Sequence, residues 1–290
     1  MIGIEKLNNK NTDEFRKLVD EGKNKTPYRL DFYKYYENQY FLVRYLTKKF
    51  VKLIKYNDRY IGYIWTDVPT SKSTRISDMF FKEEYINLIN ERLPAIFNSS
   101  LVLYEGYNNS YNRYLINSMK MSKIRITSIM KLNINEFNLH NSIDSNITFK
   151  LFHLGNDEAL RCKIQNDIFN ENTRVPLKLE DIKYDIKQEY FLKDLCVFIK
   201  LRKKEIGYGQ IIFNRGVHFI VNFGIIDGYR HEGYGRELLI KLITMAKEAG
   251  IKDLYIRVEN NNYNAKNLYS SVGFRDVGEF SSWIWSKDLI

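Results

Sequence analysis

The sequence predicts an α+β (α/β) protein made of two related domains. Its 290 residues exceed the length of one ordinary compact domain and suit two. The second half alternates strand-like and helix-like segments, and the first half repeats that order more faintly. Eleven of the 15 glycines fall after residue 145, so tight turns and close backbone approaches are expected mainly there.

The segments of the second half follow the order β-α-α-β-β-β-α-β-α-β. Alternating or continuous apolar runs predict strands, and apolar residues three and four apart predict helices. A helix over 235–247 ends at Gly250, and a short helix over 264–272 ends at Gly273. The other predicted helices are 157–169 and 178–189, and the predicted strands are 147–153, 195–201, 206–213, 217–226, 254–258 and a last one containing 283–285.

An internal repeat of about 150 residues relates the two halves. Ile61-Gly62-Tyr63 in the first half matches Ile206-Gly207-Tyr208 in the second. A polar stretch over 138–146 predicts the boundary, which gives domains over 1–140 and 146–290. The segments predicted for the first half are strands over 1–7, 51–56, 60–66 and 101–107 and helices over 13–20 and 85–97, the last bent or ended by Pro94.

Composition argues against several classes of protein. A chain with 44% hydrophobic and 28% charged residues is typical of a globular protein rather than a disordered one. No run approaches the ~18 apolar residues of a membrane-spanning helix, so no membrane partner is expected. The first residues lack the basic-then-apolar pattern of a secretory signal, and we therefore expect a cytoplasmic protein.

Metal chemistry and nucleic-acid binding receive little support. The two cysteines, Cys162 and Cys196, form no C-x-x-C pair, and the four histidines are scattered, so no metal site is predicted. The net charge of +10 could attract nucleic acid or a polyanionic cofactor. Because the basic residues form no single block, solvated surface charge is the favoured interpretation and a nucleic-acid partner stays a minor alternative.

The most distinctive motif is a glycine-rich turn between a predicted strand and a predicted helix. Residues 223–236 read FGIIDGYRHEGYGR, which contains an R-x-x-G-x-G turn. Gly233 and Gly235 allow successive backbone N–H groups to point into one concavity, to which the helix N-terminus adds its positive end. Arg230 and Arg236 are expected to add mobile positive charge. The turn predicts an anion site suited to a pyrophosphate, with a plain β–α turn as the alternative.

A second motif follows at a fixed distance. Residues 258–274 read VENNNYNAKNLYSSVGF, which fits V-x-x-x-N-x-x-A-x-x-L-Y-x-x-x-G-F. With both motifs, residues 147–290 resemble the GNAT superfamily (GCN5-related N-acetyltransferases), which are acetyl-CoA-dependent N-acyltransferases. Together with the internal repeat, the resemblance implies a tandem arrangement with a degenerate N-terminal GNAT-like domain. Each domain would be a mixed, mostly antiparallel twisted sheet flanked by helices.

The resemblance also implies a role for each matching residue. The strand ending at Phe223–Ile225 would part from the strand over 254–258, and the pantetheine arm would lie in the opening. The backbone of Phe223 and Ile225 would pair with the pantetheine amides, and the Ile225 N–H would polarise the thioester carbonyl. Tyr269 would be the catalytic acid that protonates the departing thiolate, a packed aromatic being the alternative. The implied acetyl-CoA-binding residues are Phe223, Gly224, Ile225, Arg230, His231, Glu232, Gly233, Tyr234, Gly235, Arg236, Asn262, Ala265 and Tyr269.

The general base is unassigned, because the positions that carry it in relatives hold other residues here. The two positions on the fourth strand are Phe219 and Val221, which do not titrate, and the fifth-strand position is Arg257. His218 and Glu259 are close in sequence but are expected to face the other way by strand alternation. Arg257 is a candidate ligand for a carboxylate or phosphate of the substrate, and a surface arginine is the alternative.

The first domain lacks the residues that carry this chemistry. In place of the glycine turn, residues 79–85 read MFFKEEY, with no glycine and two carboxylates, and the counterpart of Tyr269 is Ile116 or Asn117. We therefore predict that the domain over 1–140 has no CoA site and shapes the acceptor cleft or a domain contact. Its aromatic stretch over 28–45 is expected to be core or packing rather than an acceptor pocket or a base-stacking surface.

The leading hypothesis is an enzyme that moves an acetyl group from acetyl-CoA, its co-substrate, to a primary amine by direct attack, without a metal. The acceptor is a small-molecule or peptide amine whose identity the sequence leaves open, and the chain is a monomer or a homodimer. The alternatives are a non-catalytic CoA-binding module and an RNA- or ribosome-associated module.

Overall fold

Alternating burial along strands and one-sided burial along helices build both halves of the molecule. The structure, a computed structural model, describes residues 2–37, 41–90, 92–137, 146–170, 174–214 and 216–287. The strands are β1 (Ile2–Lys6), β2 (Val51–Tyr56), β3 (Arg59–Thr66), β4 (Ser73–Phe81), β5 (Leu101–Tyr107), β6 (Ser122–Asn133), β7 (Ile147–Leu151), β8 (Phe191–Leu201), β9 (Lys204–Asn214), β10 (Val217–Ile225), β11 (Asp253–Glu259) and β12 (Arg275–Ser286). The helices are α1 (Thr12–Gly22), α2 (Phe32–Glu37), α3 (Phe41–Lys49), α4 (Ser110–Ser118), α5 (Glu158–Ile168), α6 (Leu179–Asp185), α7 (Tyr234–Glu248) and α8 (Tyr263–Ser271).

The chain divides into two compact units. The first consists of Met1–Thr127 together with Gly278–Ile290, and the second consists of Ser128–Val277. The predicted domains, 1–140 and 146–290, differ from these units at both ends, because the division falls within strands β6 and β12. The polar stretch over 138–146, taken as the boundary, lies outside the described residues except for Asn146.

The sheet of the first unit has the order β1-β2-β3-β4-β5, with residues 278–286 of β12 next to β5. Neighbouring strands are antiparallel except β4 and β5, which are parallel. A single apolar core in this unit joins Phe15 of α1 to Phe80 and Phe81 of β4 and to Trp283 and Trp285 of β12. The last strand of the chain thus completes the core of the first unit.

The sheet of the second unit has the order β7-β8-β9-β10-β11, with residues 128–133 of β6 beside β11. Strands β7 to β10 are antiparallel, and β10 and β11 are parallel. Successive residues of β8 serve opposite faces of this sheet, as the strand period of two requires. Val197 packs in the core with Leu242 of α7, whereas Phe198 packs in the core with Ile164 of α5.

The predicted fold class is confirmed, since both units are mixed, mostly antiparallel sheets flanked by helices. The predicted helix over 85–97 is wrong: the chain forms two short 3₁₀ helices, Glu83–Leu88 and Pro94–Phe97, and Pro94 occupies the first turn of the second. Strands β4 and β6 were not predicted. Among the described residues, no helix combines the length and apolar content needed to cross a membrane.

Candidate functional site

Strands β10 and β11 lie side by side for three residue pairs and then part. The parallel pairs run from His218 with Leu254 to Ile220 with Ile256, and no further pair between the two strands occurs among the described residues. Strand β10 nevertheless continues to Ile225 along β9. Since backbone N–H and C=O groups in a sheet require partners, the parting gives β10 an edge that a ligand can pair with.

A β-bulge in β10 coincides with the end of this pairing. Val221 pairs with Gln210 and Gly224 pairs with Tyr208, so β10 uses one residue more than β9 over this stretch. Asn222 has a φ of +52°, in the left-handed region that asparagine tolerates better than most residues. A bulge bends its strand and increases the local twist, which turns the end of β10 away from its former neighbour. In the sequence, the only sign of this bulge is a single asparagine, Asn222, within a mostly apolar strand.

The backbone of Ile225 faces the parting. The Ile226 N–H donates to the carbonyl of Ile206 in β9 at 2.9 Å. Because consecutive N–H groups of a strand point to opposite sides, the N–H and C=O of Ile225 point away from β9. Arg230 Nε donates to the Ile225 carbonyl at 2.9 Å. The carbonyl is therefore engaged, and the N–H is directed into the opening, as the predicted oxyanion role requires.

Five consecutive backbone amides precede the first hydrogen bond of α7. His231 and Gly233 have φ values of +67° and +85°, and Gly233 is the N-cap residue before Tyr234. The N–H groups of residues 231–235 have no hydrogen-bond partner among the described residues, whereas the Arg236 N–H already donates to Gly233 O at 2.9 Å. Amides at a helix start carry partial positive charge and bind anions. The turn thus presents five amides unpaired among the described residues, those of residues 231–235, in the segment where the anion cradle is predicted.

The two arginines of the turn are held by hydrogen bonds, which differs from the mobile charge expected of them. Arg230 Nη2 donates to the carbonyl of Ile168 at 2.6 Å, and Nη1 lies 3.2 Å from Asp227 Oδ1. Arg236 Nη1 donates to Ser271 Oγ at 2.9 Å. Arg230 therefore connects the end of α5 to the turn, and Arg236 connects the start of α7 to the end of α8.

The second motif builds helix α8. The side-chain oxygen of Asn262 accepts a hydrogen bond from the Ala265 N–H at 3.1 Å, which caps the helix. Gly273 ends it with a φ of +102°. A Cβ added to Gly235 would lie 3.4 Å from Leu268 Cδ2, an ordinary contact, so α8 stands directly against the start of α7. The N-x-x-A part of the motif therefore has a structural role that is visible without any ligand.

Tyr269 lies in α8 behind the parting. Its side chain is 6% exposed and packs against the rings of Phe223, at 6.0 Å, and Phe274, at 6.2 Å. The hydroxyl makes no hydrogen bond to a described residue. Burial raises the pKa of this phenol well above its ordinary value, so it is protonated at neutral pH. A protonated phenol beside the end of β10 fits the predicted general acid.

No titratable side chain occupies the two base positions of β10. Phe219 is buried against the ring of Tyr255, and Val221 is half-buried. On β11 the residues Leu254, Ile256 and Val258 belong to the core on the α7 side, so the alternate residues face away from it. Glu259 therefore shares a face with Arg257, and the expectation that it faces the other way is wrong.

His218 stands apart from the two residues on β11. Its ring packs against Phe213 at 4.9 Å, and Phe213 is its partner in β9. Burial lowers the pKa of His218, which favours the neutral imidazole. Among the described residues, no group of three or more His, Cys, Asp and Glu side chains could hold a metal ion.

The first unit contains the same parting between β4 and β5. Their parallel pairs end at Ile76 with Tyr104, while β4 continues to Phe81 along β3. Phe81 pairs with Gly62 just as Ile225 pairs with the matching glycine of β9 in the second unit. Phe81 is therefore the counterpart of Ile225.

A tyrosine of the first unit fills this parting. The Tyr111 hydroxyl accepts from the Phe81 N–H and donates to the Phe81 carbonyl, both at 2.8 Å. Tyr111 is 7% exposed, and burial raises its pKa. The segment after β4 is the short 3₁₀ helix Glu83–Leu88 without a glycine, so it offers no cradle of amides like that before α7. The backbone groups that would meet a pantetheine arm are already paired within the unit.

A profile of the Acetyltransferase (GNAT) family matches residues 164–274, a span that contains the parting, the cradle and Tyr269. The second unit carries a GNAT-family domain. A 59-residue stretch of the chain is 36% identical to an uncharacterized N-acetyltransferase of Bacillus subtilis, covering 20% of this chain and 38% of that protein. A 58-residue stretch is 38% identical to the [ribosomal protein bS18]-alanine N-acetyltransferase of Haemophilus influenzae, covering 20% of this chain and 39% of that protein. The matched stretch spans about two fifths of the length of each of these two relatives.

Solved structures extend the GNAT fold to the whole chain. A tandem GNAT protein from the clavulanic acid biosynthesis pathway has a TM-score of 0.67 and 8% identity, covering 99% of this chain and 98% of that one. A GCN5-related N-acetyltransferase from Sphaerobacter thermophilus has a TM-score of 0.65 and 14% identity, covering 81% of this chain and 80% of that one. Identities this low concern the fold alone, and they confirm the predicted tandem arrangement.

Replacing Tyr111 with phenylalanine should destabilise the protein. The change leaves the buried N–H and C=O of Phe81 unpaired, which should cost about 1–3 kcal/mol. Tyr114→Phe is the matched control, because Tyr114 lies on the same helix and is 49% exposed. Urea unfolding followed by circular dichroism measures both variants. Equal midpoints for the two variants would contradict the pairing described above.

Proposed function

We propose that this protein is an N-acyltransferase that moves an acetyl group from acetyl-CoA to a primary amine. The observation that carries the proposal is the pairing of two features in one GNAT-family domain: the parted strands β10 and β11, and the amides of residues 231–235. A donor with a diphosphate at one end and an amide-bearing arm at the other needs an anion cradle and an exposed strand edge together.

Each part of the donor would meet a different group of residues. The amides of residues 231–235 would bind the diphosphate, with Arg230 and Arg236 supplying positive charge nearby. The backbone of β10 from Phe223 to Ile225 would pair with the amides of the arm, as an added strand does at a sheet edge. Asn262 and Ala265, at the start of α8, would line the other side of the arm.

Two groups of the chain would act in the acyl transfer. The amine attacks the carbonyl carbon of the thioester, and the Ile225 N–H donates to the oxygen on which negative charge develops. When the C–S bond breaks, Tyr269 gives its proton to the departing sulfur. Since Phe219 and Val221 hold the positions of a base in relatives, the proton of the acceptor amine leaves through another group or through water.

We further propose that only the second unit binds CoA. In the first unit the counterpart of the oxyanion amide, the Phe81 N–H, already donates to Tyr111. The first unit would then serve the acceptor side or the stability of the chain. The Haemophilus influenzae relative is a [ribosomal protein bS18]-alanine N-acetyltransferase, which adds a protein amine to the candidate acceptor classes.

The full chain should bind one CoA molecule, and Gly233 should control that binding. Gly233→Asp places a carboxylate and a strained left-handed residue in the cradle, so the Kd for CoA should rise about 10-fold or more. Gly228→Ala is the control, because Gly228 is exposed and has open space around its Cα. Isothermal titration calorimetry measures both the stoichiometry and the affinity. Two sites per chain, or an unchanged Kd for Gly233→Asp, would contradict the assignment.

Tyr269→Phe should reduce kcat by about 100- to 10,000-fold without changing CoA affinity, since it removes only the acid. Tyr263→Phe, a 71% exposed tyrosine on the same helix, should retain full activity. The assay is thiol release from acetyl-CoA over a panel of amines. Wild-type kcat in Tyr269→Phe would rule out the acid role, and CoA binding without thiol release from any amine would favour a non-catalytic module.

The raised pKa of Tyr269 also leads to a prediction for the pH dependence of kcat. Because burial raises the pKa of Tyr269, its proton is retained above pH ~10, where an ordinary tyrosine ionises. The wild-type kcat should therefore not fall between pH 7 and about 9 through loss of this proton. A decline in that range that disappears in Tyr269→Phe would contradict the assignment.

A further inference from the structure

A cavity of about 220 Å³ lies between α5, α6 and the bulge of β10, within the second unit. Arg161 and Gln165 line it from α5, Asp185 lines it from α6, and Asn222 lines it from the bulge. This side of the sheet is opposite the core that α7 covers. The cavity therefore adjoins the stretch of β10, after Ile220, that no longer pairs with β11.

Two of the side chains that line this cavity hold buried hydrogen-bond donors without a partner among the described residues. Arg161 is 1% exposed, and only its Nη2 is paired, with Asp185 Oδ2 at 2.5 Å. Its Nε and Nη1, and the Nε2 of the 1% exposed Gln165, have no hydrogen-bond partner among the described residues. Buried polar groups are nearly always hydrogen-bonded in folded proteins, so these unpaired donors are available to the acceptor atoms of a ligand.

The carboxylates of the cavity are already engaged. Asp185 Oδ1 accepts from the Tyr190 hydroxyl at 2.6 Å, in addition to its contact with Arg161. Asp181 Oδ2 accepts from the Lys178 N–H at 2.7 Å at the start of α6. What the cavity offers to a ligand is therefore a set of donors, one of which is a buried cation.

The guanidinium of Arg161 is held in place by aromatic rings. It lies 5.5 Å from the ring centres of Phe191 and Tyr208 and 5.9 Å from that of Phe152. A buried arginine of the first unit provides a comparison. The guanidinium of Arg29 donates hydrogen bonds from all three nitrogens, to Asp78 and to backbone carbonyls among others. Arg161 is thus fixed in position and, unlike Arg29, only partly paired.

We infer that this cavity binds the acceptor amine through a carboxylate, to which Arg161 and Gln165 donate hydrogen bonds. The inference rests on the proposed acyl transfer and names the class of its acceptor. Arg161 and Arg174 balance Asp181 and Asp185 in formal charge, so the cavity suits a molecule that carries both an ammonium and a carboxylate better than a polycation. Its volume is below the ~300 Å³ of pockets for drug-sized ligands and suits an amino-acid-sized molecule.

The position of Arg161 sets the spacing within this acceptor. Within α5, the rise from Arg161 to Ile168 is about 10 Å at 1.5 Å per residue. Ile168 lies against Gly224, since a Cβ on that glycine would overlap Ile168 Cγ2. The carboxylate at Arg161 and the reacting nitrogen near Ile225 are therefore separated by several carbon atoms. An α-amino group beside its own carboxylate does not satisfy this spacing, and a polyamine lacks the carboxylate.

A matched series of amines tests the inference on the full chain. δ-Aminovalerate, pentylamine and cadaverine have the same five-carbon chain and differ only in the group opposite the amine. With CoA present, calorimetry should give δ-aminovalerate a Kd roughly 10- to 100-fold lower than the other two, as expected for hydrogen bonds to a charged group. Shorter amino carboxylates, such as β-alanine, should bind less well than δ-aminovalerate.

Two variants locate the recognition at α5. Arg161→Lys retains the positive charge beside Asp185 but removes the Nε and Nη1 donors, and Gln165→Met removes an unpaired amide. Both variants should fold, and Gln165→Met should unfold at no lower urea concentration than wild type, because the amide it removes has no protein partner. Both should weaken δ-aminovalerate binding about 10-fold or more while leaving pentylamine and CoA binding unchanged.

The outcomes separate this inference from the proposed function. Equal affinity for δ-aminovalerate and pentylamine, or unchanged δ-aminovalerate binding in both variants, would overturn the carboxylate site even if acetyl-CoA turnover is observed. Binding of a peptide with an N-terminal alanine but of none of the small amines would also overturn it, in favour of a protein acceptor. If CoA itself does not bind, the proposed function fails, whereas δ-aminovalerate binding that depends on Arg161 would still support the cavity.

Discussion

The proposed function depends first on the backbone hydrogen bonds that β10 and β11 do not make. A buried strand edge must find partners for its N–H and C=O groups. In the second unit the Ile225 N–H points into the opening after the Asn222 bulge, next to the amides before α7. In the first unit the equivalent residue, Phe81, is paired with the Tyr111 hydroxyl. One fold thus gives an open edge in one copy and a closed edge in the other.

Hydrogen-bond donors without a partner also lie beside β10 on the face of the sheet opposite α7. Arg161 and Gln165 are buried with N–H groups that no described residue accepts, and each such group reduces stability unless a ligand pairs with it. The edge of β10, the amides of residues 231–235 and the α5 cavity are therefore three places where folding leaves hydrogen-bond capacity for a ligand. They would serve the two ends of the donor and the acceptor, which meet near Ile225.

The parts of this arrangement that depend on local sequence could be predicted. Helices α7 and α8 were placed within one or two residues, because glycines follow them and their apolar residues lie on one face. The parts that depend on distant contacts could not. Tyr111 pairs with a residue 30 positions away, and Arg161 with one 24 positions away. Neither residue belongs to the two motifs that carry the GNAT resemblance, and no pattern in the sequence distinguishes an unpaired buried donor from a paired one.

The most direct test compares the two equivalent amides in one experiment. In a ¹H–¹⁵N correlation spectrum of the full chain, saturating CoA should shift the amide resonances of Ile225 and of residues 231–235. The Phe81 amide, paired with Tyr111, should keep its resonance. A shift of Phe81 comparable to that of Ile225, or no shift at Ile225 and the residues before α7, would contradict the view that only the second unit keeps its strand edge open for a ligand.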